Sequence, residues 1–462
     1  MKQDQSDPIR HIVLLGYGNI GQALSPLLRQ RFASQRIDVF DERMTLAQQA
    51  LAEQYGLRWT RQRITQDNHL TLLGAALGVG SLVINVATSI SSLDVIRLAQ
   101  QQGAFYLDTC IDPWEYLDGT LDSATNTNYC MREQVMALQA AQRAQKLPTA
   151  VVAHGANPGL VSLLVKEALL LMARAHLPQP VVPCGAAEWA LLAETLGVRV
   201  IQISERDHQH TDRPRSAAEF VNTWSVDGFV AEALQPVELG WGSHEHAGPL
   251  AVEVRHHDSG CKAAVYLPRF GVQTRVRTWT PQAGEFTGYL ISHNEAISLA
   301  SFLTVGGGMQ PRYRPTVYYA YHPCDQALES LALLVDGHRH AIASARVLKD
   351  ELDGGIDELG VLLVSDRHPS LWLGSQLSIQ QARRIAPHNN ATSLQVVGSM
   401  MAAIAWIQAH PQAGIVESEA MDHEFLLARA RPYWEPIVHA TRAWHPSGQT
   451  DNPVWTLDQF LV

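Results

Sequence analysis

Three segments of the sequence carry side chains suited to chemistry on a small organic cation. Trp224 and Glu232 lie in NTWSVDGFVAE (222–232), Glu205 lies in ISERDHQ, and His293 lies in SHNEA. Carboxylates form charge-assisted hydrogen bonds with ammonium groups, an indole face attracts a cation, and an imidazole exchanges protons near neutral pH. Each residue also has a plainer explanation: a core tryptophan, a surface or helix-capping histidine, or a solvated turn glutamate. The cation pocket therefore depends on a fold that gathers these segments.

A glycine-rich turn provides the first element of such a fold. The apolar run HIVLL precedes GYGNIG (16–21), a helical pattern follows, and a second strand pattern ends in an acidic residue, which is the context of a dinucleotide-binding turn. Gly16 permits the tight turn, Gly18 lets the backbone approach a pyrophosphate, and Gly21 lets the helix pack on the strand. We predict that the helix N-terminus binds the phosphates, with contacts from Asn19 and Ile20. Pro26 predicts a local bend in that helix but not its end.

The second strand distinguishes between the two nicotinamide cofactors. Asp41 lies twenty residues after Gly21, where a carboxylate accepts hydrogen bonds from the adenosine ribose and repels a 2′-phosphate. NAD is therefore favoured over NADP. Arg43 works in the opposite direction, because a nearby arginine can accept that phosphate.

Polar residues follow the later strands of the same pattern. Ligands of open α/β sheets lie beyond the carboxyl ends of the strands, so the segments NVATS and LDTC predict cofactor contacts from Asn85, Ala87, Thr88, Asp108 and Thr109. The alternative is that these residues only form turns.

Two further polar residues follow strand ends near the predicted crevice between domains. Asn157 precedes Pro158 in HGANPG, and Asp112 lies in IDPWEY. Either residue can face the crevice or belong to a simple turn.

Composition excludes several classes of protein. The formal net charge of −10 argues against a general nucleic-acid binder, and the same acidity either attracts cationic ligands or only favours solubility. Five scattered cysteines without a CxxC pair indicate reduced thiols in a cytoplasmic protein, and no ligand spacing predicts a metal site. No apolar run reaches the length that we expect of a membrane span.

Alternating strand and helix patterns predict an α/β protein with a Rossmann-type, doubly wound parallel sheet. We place this NAD-binding domain at 1–156, an α+β substrate and dimerisation domain with an antiparallel or mixed sheet at 157–330, and a C-terminal α/β region that packs back on the first domain at 331–462. GEFTGYL (284–290) reads as a turn before a helix, LAVEVRHH (250–257) as a strand, and DELDGGIDELG (350–360) as a turn.

Several long strings, in order from about residue 10 to about residue 440, closely resemble the bacterial homospermidine synthase family, which belongs among the saccharopine dehydrogenase-like proteins. The strings are GYGNIG, YLDTCIDPW, HGANPGLVS, IQISERDHQ, NTWSVDGFVAEALQPVELGWGSHE, GYLISHNEA, YYAYHPCDQA, DELGVLL, GSQLSI and NATSLQV.

The resemblance implies an aminobutyl transferase that uses NAD as a prosthetic group. An amine carbon of putrescine is oxidised and ammonia leaves. The oxidised carbon condenses with a second putrescine, or with the aminobutyl group of spermidine, to an imine, which is reduced to homospermidine. It also implies a homodimer. The residues that it assigns to the substrate are Asn157, Glu205, Trp224, Glu232 and His293, with Asp112 close by, whereas Asp94 is not assigned.

Hydride leaves only from a carbon that bears a neutral amine, so a base must first remove a proton. His293 is the first candidate, and a carboxylate of Glu205 or Glu232 is the alternative. Asp357 and Glu358 are possible additional acids.

Two other functions stay open from the sequence. A reductase of carboxylated imines, such as a saccharopine or carboxyspermidine dehydrogenase, would need paired arginines in the pocket, and Arg206 and Arg269 keep this option open. A non-catalytic dinucleotide-sensing protein would have no use for the acidic residues.

Overall fold

A computed structural model describes residues 7–115, 127–179, 181–245, 252–307, 310–334, 341–444, 446 and 455–462. The first sheet has seven parallel strands in the order β18-β6-β5-β4-β1-β2-β3. They are β1 (His11–Leu15), β2 (Arg36–Asp41), β3 (Arg58–Arg61), β4 (Ser81–Asn85), β5 (Phe105–Asp108), β6 (Ala150–Val152) and β18 (Ile415–Glu417). The helices of this part are α1 (Asn19–Arg31), α2 (Leu46–Gln54), α3 (His69–Ala76), α4 (Ser92–Gln101) and α5 (Asn128–Gln142). The predicted doubly wound parallel sheet is confirmed.

Continuous apolar strands stabilise this sheet. Val13 and Leu15 pack into the core on one face of β1, and Ile12 and Leu14 pack into the core on the other, as expected for a parallel sheet that helices cover on both faces. Helix α1 continues through Pro26 to Arg31, so the proline does not end the helix, as predicted.

The second sheet has ten strands and is mixed. The strands are β7 (Val198–Asp207), β9 (Pro236–Gly240), β10 (Arg255–His256), β11 (Ala264–Phe270), β12 (Arg275–Thr280), β13 (Gly284–Ile291), β14 (Thr316–His322), β16 (Ile356–Ser365), β17 (Ser370–Ser378) and β19 (Ile437–Arg442). Strand β14 pairs in parallel with β7, whereas the other pairs are antiparallel. Strands β8 (Glu219–Asn222) and β15 (Ser344–Val347) form a separate parallel pair.

The helices of the remaining chain surround this second sheet and connect it to the first. They are α6 (Leu160–His176), α7 (Ala186–Thr195), α8 (Val226–Ala233), α9 (Asn294–Phe302), α10 (Asp325–Ser330), α11 (Ile379–Ile385), α12 (Ala391–Ala409), α13 (His423–Trp434) and α14 (Leu457–Phe460). The C-terminal segment contributes to both sheets: β16, β17 and β19 extend the second sheet, and β18 pairs with β6 in the first.

Three local predictions differ from the structure. GEFTGYL is not a turn but forms most of β13. A glycine stands at position 288 because the Cβ of any larger residue would lie 3.0 Å from the backbone of the neighbouring strand at Ala320. The second half of DELDGGIDELG belongs to β16, which begins at Ile356. Of LAVEVRHH, only Arg255–His256 forms a strand, and residues 250–251 lie outside the described part of the chain.

The sequence patterns predicted no apolar run as long as a membrane span, but helix α12 is one by length and composition. By length and composition alone it could cross a membrane, but 78% of its apolar window is buried inside the fold. It packs against α1 and α13, which identifies it as a core helix.

Candidate active site

The glycine turn between β1 and α1 has the geometry that a dinucleotide requires. Gly16 lies at φ +89°, and an added Cβ would lie 2.9 Å from the backbone of Ala87. An added Cβ at Gly21 would lie 2.5 Å from the carbonyl oxygen of Gly16, so helix and turn are in direct contact. No atom lies within 4 Å of the position that a Cβ would occupy at Gly18, which leaves its backbone open to a ligand.

Asn19 and Asp41 fit the phosphate and ribose of such a cofactor. Both polar atoms of the Asn19 amide are buried without a hydrogen-bond partner among the described residues, which is what remains when a ligand supplies the partner. The Asp41 carboxylate accepts hydrogen bonds from the backbone amides of Tyr17 at 2.6 Å and Arg43 at 2.7 Å. The Arg43 guanidinium instead pairs with Glu42 at 3.1 Å.

The strand-end residues divide into two groups. Ala87, Thr88 and Thr109 line the central cleft together with Ile20. Asn85 and Asp108 were predicted to contact the cofactor, but their side chains turn inward and are missing from the residues that line this cleft.

Both inward side chains hold the loops of the sheet in place. The Asn85 amide donates to the carbonyl oxygen of Ile90 at 3.2 Å, and Asp108 accepts from the Ala153 amide at 2.6 Å and the Tyr106 hydroxyl at 2.7 Å. Burial raises the pKa of Asp108 to about 7. Sequence position locates a strand end but not the direction of its last side chain, which explains the error.

All six residues assigned to the substrate line the same cleft as these cofactor candidates. The residues are Asp112, Asn157, Glu205, Trp224, Glu232 and His293. They come from loops and elements of both sheets, so the tertiary structure gathers segments that are up to 181 residues apart in the chain. The nicotinamide end of a dinucleotide on the first sheet would therefore face acidic and aromatic side chains from the second.

Glu232, His293 and Glu295 form a row at one end of the cleft. His293 is the N-cap residue of α9, and its Nε2 lies 3.0 Å from Oε2 of Glu232, near the C-terminus of α8. Its Nδ1 lies 3.2 Å from Oε1 of Glu295. Burial disfavours the charged imidazole, but the two carboxylates outweigh burial and raise the pKa of His293 to about 10.

This pKa changes the expected role of His293. An imidazole with a pKa of about 10 already carries its proton at neutral pH, so His293 is not a free base in the uncomplexed site. The two flanking carboxylates, which could not be seen in the sequence, favour the charged imidazole, so the choice of His293 as the base stays a prediction. Glu232 is the carboxylate beside Nε2 that also lines the cleft.

Glu205 lines the cleft, and two neighbouring side chains donate hydrogen bonds to its carboxyl group. It is 2% exposed, and its Oε2 accepts hydrogen bonds from the Tyr319 hydroxyl at 2.6 Å and from the Asn157 amide at 3.5 Å. Burial is the main reason why the pKa of Glu205 lies above its usual range. Glu205 was expected as a carboxylate, whereas the uncomplexed site favours the protonated form.

Two further acids lie behind Glu205. Asp207 shares its face of β7, and Asp357 on β16 lies opposite Asp207. Burial raises the pKa of Asp357, and the nearby carboxyl groups of Glu205 and Asp207 raise it further. Glu358 points elsewhere, since it accepts from the Thr280 hydroxyl at 2.5 Å and the Gln282 amide at 2.9 Å.

Trp224 forms a half-buried wall of the cleft. It lies directly before α8, with its ring centroid 6.0 Å from that of Phe229. Gly228 leaves room for the indole, because an added Cβ would lie 2.8 Å from Cζ3 of Trp224.

Several residues of the site were missed from the sequence. They are Cys110, Glu295 and Tyr319. Tyr319 belongs to TVYYAYH, in which residues of one face alternate with those of the other. It pairs with Ile203 and reaches Glu205 two residues along β7, so the contact depends on strand pairing. Glu295 had a signal in the His-x-Glu spacing at the start of a helix.

Comparisons with known proteins agree with this architecture. Residues 12–151 match the family described as the saccharopine dehydrogenase NADP binding domain, and residues 155–438 match the saccharopine dehydrogenase C-terminal domain. A homospermidine synthase of Blastochloris viridis is 44% identical over 448 residues, which cover 94% of this chain and 92% of the relative. The chain belongs to the homospermidine synthase family.

Other relatives support the same family. A homospermidine synthase of Mesorhizobium japonicum is 38% identical over 450 residues, covering 94% of this chain and 91% of the relative. The crystal structure of the homospermidine synthase of Legionella pneumophila in complex with NAD superposes with a TM-score of 0.90 at 40% identity and covers 98% of both chains. Saccharopine dehydrogenase of Saccharomyces cerevisiae shares only the fold, with a TM-score of 0.51 at 11% identity over 94% of this chain and 99% of that one.

Proposed function

We propose that the chain is an NAD-dependent aminobutyl transferase that converts two molecules of putrescine into homospermidine and ammonia. The observation that carries this proposal is the cleft that Trp224, Glu232 and His293 line together with Ile20 of the dinucleotide turn. Glu295 lies behind His293 and contacts its ring. NAD is the cofactor, and when bound it removes a hydride from an amine carbon and returns the hydride to the imine.

The acidic end of the cleft would hold and deprotonate one ammonium group. Glu232 faces the cleft, and His293 donates a hydrogen bond to it from Nε2. The imidazolium compensates the charge of the carboxylate, and Glu232 would accept the substrate proton. The amine then carries a lone pair, which loss of hydride from the adjacent carbon requires.

The middle of the cleft would stabilise the cationic intermediates. The indole of Trp224 offers its face to an iminium, at about 0.5–2 kcal/mol for a cation in contact with an aromatic ring. Glu205, in its protonated form, supplies a proton donor for the departing ammonia, and Tyr319 and Asn157 hold its carboxyl group in place. Asp112 would bind the far amine of the chain.

The geometry disfavours reduction of a carboxylated imine. Such a substrate needs arginine, yet none of the described residues that line the cleft is an arginine. Arg206 instead donates to the carbonyl oxygens of Asp207 at 2.7 Å and Pro323 at 2.9 Å, and Arg269 donates to that of Gln273 at 3.0 Å.

The wider setting of the enzyme belongs to the same proposal. The family resemblance supports a homodimer in the cytoplasm, with polyamines rather than nucleic acid or membrane as partners. For the chain itself we keep an NAD-binding part at 1–156 and a substrate part at 157–330. The C-terminal segment completes both sheets.

The decisive experiment is mass analysis of products after incubation with putrescine and substoichiometric NAD. We expect many homospermidine molecules and an equal number of ammonia molecules for each NAD, with the NAD recovered. A requirement for stoichiometric NADH and an amino acid, with no product from putrescine, would overturn the proposal.

A variant pair separates catalysis from cofactor binding. Glu232→Gln keeps the shape of the side chain but removes its charge, so we expect product formation to fall about 100-fold or more with NAD affinity unchanged. Asp227→Asn, at an exposed position at the start of the same helix, is the matched control and should keep full activity. A fully active Glu232→Gln variant would remove Glu232 from the chemistry, whereas NAD binding without product from either the wild type or the variant would support a dinucleotide-sensing protein without catalysis.

A further inference from the structure

Glu295 is a buried carboxylate that the proposed reaction does not yet use. It is 1% exposed, and it lies in the first turn of α9, two residues after His293. Its Oε1 accepts from Nδ1 of His293 at 3.2 Å, and its Oε2 is buried without a hydrogen-bond partner among the described residues. Burial of a carboxylate costs free energy of folding unless the group is paired, so the contact with His293 is the feature to explain.

The contact with Nδ1 determines what the other ring nitrogen can do. A carboxylate beside Nδ1 keeps a proton on that atom in both the charged and the neutral imidazole. Nε2 is then the only ring atom that gains or loses a proton, and it is the atom 3.0 Å from Glu232. The geometry therefore aims the exchangeable proton of His293 at the cleft.

Among the residues that the structure describes, Glu232 and Glu295 are the groups that form hydrogen bonds with the His293 ring. The Tyr319 ring lies with its centroid 4.4 Å from that of the imidazole, and Glu205 acts on it through space. Behind Glu295, a small polar cavity is bordered by Ser162, Ser298, Glu417 and Glu419. The two serine hydroxyls donate to Glu419 at 2.7 Å each, so among these groups only Glu295 contacts the imidazole.

We propose that Glu295 is a positioning residue of the reaction, which fixes the ring of His293 with Nδ1 toward the interior and Nε2–H toward Glu232. This inference rests on the proposed function. The two carboxylates act from opposite edges of one imidazole: Glu232 meets the substrate, and Glu295 keeps its partner oriented and charged. Without Glu295, burial would favour a neutral ring that is free to donate from either nitrogen.

Nuclear magnetic resonance of the histidine rings tests the proposal without substrate. In the NAD-loaded protein labelled with ¹⁵N-histidine, the signals of His293 are identified by their loss in His293→Gln. We expect both nitrogens to stay protonated well above neutral pH. In Glu295→Gln the ring should become neutral at a lower pH, because one of the two carboxylates that favour its charge is gone, whereas Glu295→Asp should restore part of the shift.

Activity gives the second readout. We expect kcat for homospermidine formation to fall at least about tenfold in Glu295→Gln with little change in KM, and Glu295→Asp to recover part of it. Ser298→Ala is the matched control, since Ser298 lies one turn along α9 and contacts Glu419 but not His293. It should leave the His293 signals unchanged.

Two outcomes would overturn the assignment. One is an unaltered His293 titration in a folded Glu295→Gln variant. The other is a loss of activity in Glu295→Gln that Ser298→Ala reproduces, since that would indicate general damage to α9. If instead the wild-type protein makes no homospermidine while Glu295→Gln shifts the His293 titration, the proposed function fails and the positioning contact stands.

Discussion

Gly228 shows how one missing side chain shapes the active site. It lies in the first turn of α8, and Ser225, the N-cap residue, accepts a hydrogen bond from its amide at 3.0 Å. Its φ lies outside the left-handed region, so alanine fits the helical backbone and is a better helix former. The indole of Trp224 occupies the space where the alanine methyl group would lie.

We therefore expect Gly228→Ala to reduce turnover without unfolding the protein. The added methyl group would displace the indole, and a displacement of about 1 Å in a catalytic group can lower the rate about 100-fold. The measurement is kcat with putrescine, alongside the thermal midpoint and NAD affinity, both of which should stay near the wild-type values. Unchanged turnover in this variant would show that the position of the indole does not matter.

At the scale of elements, helices α8 and α9 carry Glu232, His293 and Glu295, and strand β9 follows α8 in the chain. Helix α9 packs directly on β9 at Gly240, where an added Cβ would overlap the carbonyl oxygen of Ala296 and the methyl group of Ala300. This close approach places the N-terminus of α9, and with it His293, against the end of α8 that carries Glu232. The crossing of two elements thus determines a hydrogen bond in the active site.

Replacement of Gly240 by alanine should push these elements apart. Overpacking of a filled core costs about 1–3 kcal/mol, so we expect Gly240→Ala to lower the free energy of unfolding by that amount in chemical denaturation. Gly307→Ala is the control, because nothing lies within 4 Å of its added Cβ, and it should be neutral. Equal stability of the two variants would contradict the close packing of α9 on β9.

At the scale of the whole molecule, the fold buries carboxyl groups that accept hydrogen bonds from backbone amides and hydroxyl groups. Burial raises the pKa of Glu238 to about 8 and that of Glu245 to about 7, as it does for Asp108. Their folded pKa values exceed the unfolded ones, so their contribution to stability is complete below about pH 4 and is lost as the pH rises through 7 to 8. His293, with a pKa of about 10, extends this loss above pH 6.5.

The thermal midpoint should therefore fall as the pH rises from 6 to 9. Glu238 accepts from the backbone amides of Asn128 at 2.6 Å and Tyr129 at 3.0 Å, and a glutamine carbonyl oxygen can keep one of these contacts without titrating. We expect Glu238→Gln to make the decline shallower, and Glu424→Gln, at an exposed position on α13, to leave it unchanged. Thermal unfolding at several pH values measures both, and parallel curves for the two variants would contradict the role of burial.

The dinucleotide-binding half of the molecule was largely predictable, because its signals are local. The turn 16–21, the strands beside it and Asp41 are close in the chain, and backbone geometry alone dictates which residues tolerate the turn. The second half was harder to predict. The segment GEFTGYL was read as a turn although it lies in β13, since Gly288, which admits a neighbouring strand, is indistinguishable in sequence from a glycine that turns the chain.

The sequence by itself determined the parallel sheet, the glycine turn, the family and the six substrate candidates that line the cleft. Only the tertiary structure decided which of these residues meet and which of them carry a proton. Glu295 and Asp357 became visible as partners of His293 and Glu205 once strands and helices from distant segments were packed together. The physical reason is that a pKa depends on burial and on neighbouring charges, and both are properties of the folded chain rather than of any segment.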